Sequence, residues 1–226
     1  MRRSDGSAEP KFRREPPGAR RDELIAATLA CLKKLGHEGV SVRRISAEAG
    51  VSMGLINHHF QGIDALVAAA YESLAKRLLS RSRDPALAIA GEPVKALHAF
   101  FSASFVPEAI DPALFRTWLV FWSLVPHSPQ LRTVRDRTYG ETRATLETLL
   151  SRLKRLPDVP AFKVGSAAIG LSALMDGLWV ELSLNRASFE PAEAVSLCDD
   201  WVHGLTVGAF PALRASKRGK AALHSR

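Results

Sequence analysis

Apolar residues recur along most of the chain at spacings of three and four, which is the period of an amphipathic helix. The first such segment covers residues 20–35 and ends before Gly36. Its apolar stripe is formed by Leu24, Ile25, Thr28, Leu29, Leu32 and Leu35. The strict alternation typical of strands is scarce, and Ala, Leu, Arg and Glu dominate. The pattern therefore predicts an all-α fold.

Two short helices follow the first one. The pattern predicts a helix over 42–49 that is ended by Gly50, and then a second helix that follows Ser52 and ends at Phe60. Ser41 and Ser52 precede them and are interpreted as N-cap residues, because a serine hydroxyl can accept a hydrogen bond from the first turn.

The rest of the chain predicts six longer helices. The first covers 63–82 and is followed by the stretch "RDPALAIAGEP", interpreted as a linker. Proline at or near the first helical position then marks several helix starts. The remaining helices are expected at 92–106, 111–125, 129–154, 160–185 and 191–208.

The two ends of the chain lack this helical pattern. Residues 1–19 and 211–226 are polar and basic, and they predict a disordered basic arm and a disordered basic tail. The arm has no apolar core of a secretory signal, and no stretch reaches the roughly 18 consecutive apolar residues of a membrane span. No membrane partner is therefore expected through a spanning segment. The net charge of +8 favours a polyanionic partner, either nucleic acid or an acidic membrane surface.

Candidate chemistry is sparse. Cys31 and Cys198 lie far apart in helical settings, which is typical of a cytoplasmic protein with two inert thiols. No Cys and His spacing indicates a zinc site, and neither a metal nor another cofactor is expected. A helical-bundle enzyme is an alternative, but it needs a nucleophile and base pair or a metal cluster. The histidines are scattered instead, at His37, His58, His59, His98, His127, His203 and His224.

The stretch from Arg43 to Phe60 is typical of a helix-turn-helix, because two short helices are joined by "AGVS". A small, apolar inner face is formed by Ile45, Ala49, Val51, Ile56 and Phe60. The candidate DNA-binding residues are Arg43, Arg44, Ser52, Met53, Gly54, Leu55, Asn57, His58 and His59. A surface hairpin whose polar face is merely solvated fits the spacing equally well.

From Arg20 to about residue 70 the chain closely resembles the N-terminal domain of the TetR family of transcriptional regulators. The matching residues are "LIAATLACLKKLGHEGVSVRRISAEAGVSMGLINHHFQGIDALVAAA". The resemblance implies a three-helix DNA-binding domain over 20–66, with Arg43 near a base edge and residues 52–59 on the recognition helix. It also implies a second domain over 67–210 that binds a ligand and dimerises.

Two positions depart from the family pattern. Asn57 stands where the family usually has Tyr, and Ile63 stands where it usually has Lys. Both residues of the family serve phosphate contacts, so the operator register of the family does not transfer to this chain.

Aromatic residues and one carboxylate mark the second half of the chain. In "FRTWLVFWSLVPHSP", Phe115, Trp118 and Trp122 share a helical face, and in "SALMDGLWVELSL" Asp176 lies one turn before Trp179. These five residues are the candidate ligand-binding residues. Tryptophan faces with one carboxylate are the components of a quaternary-ammonium site. The alternative is an aromatic core in which Asp176 bonds a neighbouring polar group.

The Trp-x-x-x-Trp helix and the Leu-Met-Asp-Gly-Leu-Trp helix resemble the C-terminal domain of the choline-sensing repressors of glycine-betaine synthesis. The resemblance implies a ligand-responsive repressor that binds a palindromic DNA operator as a homodimer and is released by a small molecule, with choline the first candidate. Glu181 stands where a neutral or basic residue is expected. A TetR-type regulator with an unrelated apolar ligand, and a purely architectural DNA binder, are the alternatives.

Dimerisation is expected through the last two predicted helices, 160–185 and 191–208. Their apolar content exceeds what one core stripe needs. The residues concerned are Ala167, Ile169, Leu171, Leu174, Val195, Leu197, Trp201, Val202 and Leu205.

Overall fold

The computed structural model describes residues 18–213, which form nine α-helices and no β-strand. The helices are α1 (Ala19–Leu35), α2 (Val42–Ala49), α3 (Gly54–Phe60), α4 (Ile63–Ala88), α5 (Pro93–Ser104), α6 (Pro112–Leu124), α7 (Pro129–Lys154), α8 (Val164–Leu184) and α9 (Pro191–Thr206). Three short 3₁₀ helices cover Gly36–Gly39, Val125–His127 and Pro211–Leu213. The all-α prediction is confirmed.

The predicted basic arm and tail lie almost entirely outside the described residues. The exceptions are at their inner ends. Ala19 is the first residue of α1, and Pro211–Leu213 form a 3₁₀ helix that packs back on the bundle through the hydrogen bond from Lys163 N to Leu213 O (2.7 Å). These residues were predicted to be disordered, and that part of the prediction is wrong.

The predicted linker after residue 82 is also wrong in its first half, because α4 continues through it. Pro85 lies inside the helix and removes one backbone donor. Tertiary contacts outweigh this loss. Ala86 is fully buried in the core, and Arg152 of α7 donates to the carbonyl oxygens of Leu87 and Ile89, both at 3.3 Å.

The predicted N-cap position is confirmed for Ser41 and is wrong for Ser52. Ser41 occupies the N-cap position of α2 with an extended backbone, but its hydroxyl makes no capping hydrogen bond. α3 begins only at Gly54, after Met53, so Ser52 lies outside the helix. α8 likewise begins four residues later than the predicted residue 160, at Val164.

Three apolar clusters form the interior. The first joins α1, α2, α3 and the start of α4, with Leu24, Ile45 and Ile56 fully buried. The second lies between α1, α4, α6 and α7, and the third between α4, α5, α7, α8 and α9. α4 contributes to all three clusters. It therefore runs unbroken through the predicted domain boundary at residues 66 and 67.

α8 is the most apolar helix of the described part. By length and composition it could cross a membrane, with a mean hydropathy of 1.4 over 18 residues. One such helix is weak evidence for a span, since a core helix passes the same test. In this fold α8 packs against α6, α7 and α9, and its apolar residues Ile169 and Leu184 remain exposed.

Candidate DNA-binding and ligand sites

The helix-turn-helix is built from α2, a tight turn and α3. Gly50 ends α2 in the left-handed conformation with φ 65°, a region that favours glycine. The turn is closed by a hydrogen bond from Val51 N to Ser46 O (2.9 Å). Ile45 and Ile56 then meet in the core with no exposed surface. The predicted inner face is confirmed, with Ala49 and Val51 half-buried at its edge.

The candidate DNA-binding residues share the outer side of this unit. They are exposed at Arg43, Ser52, Met53, Gly54, Asn57 and His58, and half-buried at Arg44, Leu55 and His59. Arg44 is engaged within the chain, because its Nη1 donates to the carbonyl oxygen of Glu38 at 2.8 Å. Arg43, Ser52, Asn57 and His58 leave side-chain donors and acceptors exposed to solvent, which suits base edges and phosphates.

A cavity of about 190 Å³ lies among α4, α5, α6, α7 and α8. Four of the five candidate ligand-binding residues line it: Trp118, Trp122, Asp176 and Trp179. Phe115 does not reach the cavity wall. It is buried and packs edge-on against the Trp179 indole, with the two ring centroids 5.2 Å apart.

Three indoles surround one part of the cavity. The ring centroids of Trp118, Trp122 and Trp179 lie 6.2 to 6.5 Å from one another, in edge-on or tilted orientations. Trp179 is fixed because its Nε1 donates to the carbonyl oxygen of Ala109 at 2.7 Å. Tyr71 holds Trp118 from the other side, edge-on at 4.9 Å. The indole faces are therefore held in place before any ligand binds.

Asp176 has no hydrogen bond or ion pair to any residue in the described part of the chain. More than a third of the residue is exposed. Its carboxylate nevertheless lines the cavity, where desolvation raises its pKa from the ordinary 3.8 to about 6, and Arg135 opposes this shift. A carboxylate that lacks a partner on a cavity wall is free to pair with a cation.

Arg135 is already engaged elsewhere. Its Nη1 donates to Asp136 Oδ1 at 3.2 Å, and its guanidinium lies 4.3 Å from the centroid of the Tyr139 ring. Burial and then the charge of Asp176 raise the pKa of Tyr139 to about 12, so the phenol stays protonated and can donate a hydrogen bond into the cavity. The polar part of the wall thus includes the carboxylate of Asp176 and the hydroxyl of Tyr139. Further polar lining residues are Arg81, Ser82, Ser104, Thr138, Thr142 and Ser172.

Several lining residues were missed by the sequence analysis. They come from α4, α5 and α7, where they belong to ordinary apolar or Thr-rich helical stripes without a distinctive motif. The chief ones are Leu78, Leu79, Phe100, Thr138, Tyr139, Thr142 and Leu146. Arg81 also lines the cavity and forms an exposed ion pair with Glu108 (3.6 Å).

The structure does bring a hydroxyl, a histidine and a carboxylate together outside the cavity. His98 Nδ1 lies 2.7 Å from Asp199 Oδ2, and the Ser102 hydroxyl lies 3.3 Å from His98 Nε2. This group joins α5 to α9 on an exposed surface and does not face the cavity. No group of three or more His, Cys, Asp or Glu within residues 18–213 could hold a metal ion.

Comparison with known proteins identifies both halves of the chain. Residues 24–70 match the bacterial regulatory proteins of the tetR family, and residues 93–207 match the C-terminal domain of the BetI-type transcriptional repressors. The chain belongs to the TetR family. Members of this family are transcriptional regulators and not enzymes, so the chain is a DNA-binding regulator of the BetI type.

Curated TetR relatives agree with this assignment over nearly their whole length. The HTH-type transcriptional regulator BetI of Serratia proteamaculans is 32% identical over 194 residues, which cover 85% of this chain and 94% of that one. BetI of Burkholderia thailandensis is 30% identical over 183 residues, which cover 81% and 91%.

Solved structures show the same fold. A transcriptional regulator from Pseudomonas aeruginosa PAO1 is 47% identical, with a TM-score of 0.82 over 89% of this chain and 97% of that one. A regulator from Saccharomonospora viridis, crystallised in complex with choline, is 18% identical, with a TM-score of 0.69 over 81% of this chain and 95% of that one. The second comparison shows the shared fold alone.

Proposed function

We propose that this TetR-family regulator is a cytoplasmic repressor that binds a palindromic operator as a homodimer and is released by a cationic small molecule. The observation that carries the ligand assignment is the carboxylate of Asp176, which has no partner among residues 18–213 and lines a cavity beside three indoles. Each of the three parts, DNA contact, dimer and ligand, has its own test.

For the DNA contact, α3 enters the major groove with Asn57 and His58 facing the DNA, and Arg43 of α2 reaches a base edge. The exposure of these three side chains within the helix-turn-helix supports this placement. Operator duplexes are obtained by selecting a random-sequence library with the wild-type protein. Arg43→Ala then costs about 1–3 kcal/mol at one base position of each half-site.

Arg155→Ala is the matched control for this variant, because it removes the same charge beyond the end of α7 in the C-terminal part. Equal weakening of Arg43→Ala on every sequence would assign Arg43 to a phosphate. No weakening at all would place Arg43 outside the interface.

For the dimer, the apolar residues predicted to drive association divide into three groups by exposure. Ala167, Leu171, Val202 and Leu205 are buried in the core of a single chain, and Leu174, Val195 and Trp201 are half-buried. Ile169 of α8 and Leu197 of α9 remain exposed, at 52% and 43%. The apolar surface of α8 and α9 that is available for dimerisation is therefore smaller than the apolar composition of the two helices indicated.

On α8, Ile169, Ala173 and Gly177 follow one another at four-residue spacing and are all exposed, so they form one stripe along the helix. Leu184, which is 66% exposed, extends the same face. Small residues at this spacing allow two helices to approach closely, which supports α8 against α8 of a second copy as the centre of the dimer interface.

Gly177→Leu tests this interface. A Cβ at Gly177 meets no atom within 4 Å among residues 18–213, so the variant is expected to leave the fold of one chain intact and to obstruct a neighbouring copy. Gly140→Leu on α7 is the matched control, since a Cβ there is equally unobstructed. Sedimentation velocity at micromolar concentration is expected to show a monomer for Gly177→Leu and a dimer for Gly140→Leu. A dimer for both would move the interface elsewhere.

For the ligand, a quaternary ammonium group fits the wall best. Each indole face attracts such a cation by about 0.5–2 kcal/mol when it is desolvated, and the carboxylate of Asp176 balances its charge. Choline is the first compound to test, and the choline-bound regulator of the same fold from Saccharomonospora viridis supports this choice. The uncharged isostere 3,3-dimethylbutan-1-ol isolates the contribution of the charge.

Calorimetric titration is expected to show choline binding at least ten-fold more tightly than the isostere. Trp122→Ala and Asp176→Asn should each weaken choline binding while apo DNA binding stays intact. Equal binding of choline and the isostere would favour the second candidate, an apolar ligand, because Leu79, Phe100 and Leu146 make the opposite wall apolar. Binding of neither compound, in a folded protein, would exclude choline and leave the ligand to a wider screen.

A further inference from the structure

The C-terminal end of α3 is held by a residue from the other end of its domain. Arg21 lies in the first turn of α1, and its Nη1 donates to the carbonyl oxygen of His59 at 3.2 Å. The guanidinium carbon of the same residue lies 4.2 Å from the centroid of the Phe60 ring. A single side chain thus contacts the last two residues of α3 across 38 positions of sequence.

α3 requires such support because it is short and ends abruptly. The helix has seven residues, and Gln61 terminates it in the left-handed conformation with φ 56°. Gln61 N donates to the carbonyl oxygen of Asn57, which leaves the last carbonyls without helical partners. A cation at this end satisfies one of these carbonyls and also interacts favourably with the helix dipole.

We propose that Arg21 is a positioning residue for DNA recognition, because it fixes the angle and height at which α3 presents Asn57 and His58. The proposal rests on the placement of α3 in the major groove given above. Phe60 is buried in the core of the DNA-binding part. Its ring is therefore fixed, and stacking on it fixes the position of the Arg21 guanidinium. Arginine suits this task and lysine does not, since only a planar guanidinium can stack on a ring and donate sideways at once.

Direct phosphate contact is the competing role for an exposed arginine at this place, and salt dependence separates the two roles. Loss of one phosphate contact reduces the magnitude of the negative slope of log K against log salt by about 0.9. A lysine at the same position keeps the phosphate contact and therefore keeps the slope. A positioning residue leaves this slope unchanged and instead reduces the discrimination between specific and scrambled DNA. If Arg21 is a positioning residue, lysine at this position loses that discrimination as alanine does.

The experiment uses the full chain and a duplex selected from a random library by the wild-type protein, with a scrambled duplex of equal length. Arg21→Ala and Arg21→Lys are both expected to lower the ratio of specific to non-specific affinity about five-fold, with an unchanged salt slope. Arg20→Ala removes the neighbouring charge, which pairs with Glu23 at 2.8 Å, and is expected to keep the ratio. A wild-type ratio in Arg21→Lys, or a lowered slope in Arg21→Ala, overturns the proposal.

Readouts on the free protein make the result independent of folding and of the DNA assignment. Both Arg21 variants are expected to keep the cooperative thermal transition while the ring resonances of His58 and His59 shift. Unmoved resonances overturn the proposal even where DNA binding falls. Asn57→Ala tests the underlying placement, because unaltered DNA binding in that variant removes α3 from the interface. If Asn57→Ala loses binding and the Arg21 variants do not, only the role of Arg21 fails.

Discussion

Replacing Asp176 with asparagine is expected to stabilise the ligand-free protein at pH 8 and to leave its stability unaltered near pH 4. The folded-state pKa of Asp176 is raised from 3.8 to about 6, so the folded protein binds this proton more tightly than the unfolded chain does. Stability contributed by this group therefore falls as pH rises from about 4 through 6. Above pH 6 the full cost of the charged carboxylate is present, and asparagine removes it.

The magnitude follows from the size of the pKa shift and from exposure. A shift of about two units corresponds to roughly 3 kcal/mol for a fully desolvated group. Because more than a third of Asp176 is exposed, solvent screens much of this, and about 1 kcal/mol is expected at pH 8. A free-energy gain on losing a carboxylate is unusual for a structural residue and typical of one retained for binding.

Urea unfolding of both proteins at pH 4.5, 6 and 8, at one fixed protein concentration, measures this effect. Asp158→Asn in the loop between α7 and α8 is the control, since Asp158 is exposed and does not line the cavity that contains Asp176. Lower stability of Asp176→Asn at pH 8 would refute the reasoning, because the carboxylate would then be a satisfied structural group. For the same reason, choline binding by the wild type should weaken as pH falls through 6, when the carboxylate is neutralised.

Three further predictions concern stability and reactivity. Gly204→Ala should lose about 1–3 kcal/mol in urea unfolding, because a Cβ there lies 2.7 Å from the ring of Phe210, whereas Gly140→Ala, in open space, should gain up to about 1 kcal/mol. Gln61→Gly should raise the thermal midpoint by relieving the left-handed backbone at φ 56°, and a lowered midpoint would mean that the glutamine side chain is needed. Burial raises the pKa of Cys198 to about 12, so iodoacetamide at pH 8 should modify this thiol only after unfolding.

The DNA-binding part could be predicted from sequence because its determinants are local. The turn needs a residue that tolerates positive φ, and Gly50 supplies it within a few residues of the apolar positions that it brings together. Helix starts in the second half of the chain could also be predicted from local sequence. Pro93, Pro112, Pro129 and Pro191 each occupy a first helical position, where a missing N–H costs nothing.

Prediction failed where distant contacts decide the outcome. Pro85 indicates a helix end, but Arg152, more than sixty positions away, caps the carbonyls beyond it and the helix continues. The cavity shows the same limit. Its tryptophans and Asp176 could be recognised from sequence as candidate ligand-binding residues. Thr142 and Leu146 on its other walls have no sequence feature that separates them from ordinary helical stripes.

We expect α6, together with α4, to couple a ligand in the cavity to the DNA-binding part, because both helices line the cavity and pack against α1. The second half of α6 carries Trp118 and Trp122 on the cavity wall, and in its first half Arg116 donates to the carbonyl oxygen of Lys33 at the end of α1 (3.3 Å). That polar contact is exposed and weak, so it cannot transmit much by itself. The buried contacts between α6 and α1 in the second apolar cluster are the stiffer connection.

A cation among the indoles therefore alters DNA affinity only as far as it prefers one position of α6 and α4 over another. Differential preferences of this kind are worth about 1–3 kcal/mol, or roughly 5- to 150-fold in affinity. Linkage makes the effect reciprocal, so operator DNA must weaken choline binding by the same factor. Titration of choline into the protein with and without the selected duplex measures that factor directly. An equal choline affinity in both titrations would show that the cavity is not coupled to α3, whatever it binds.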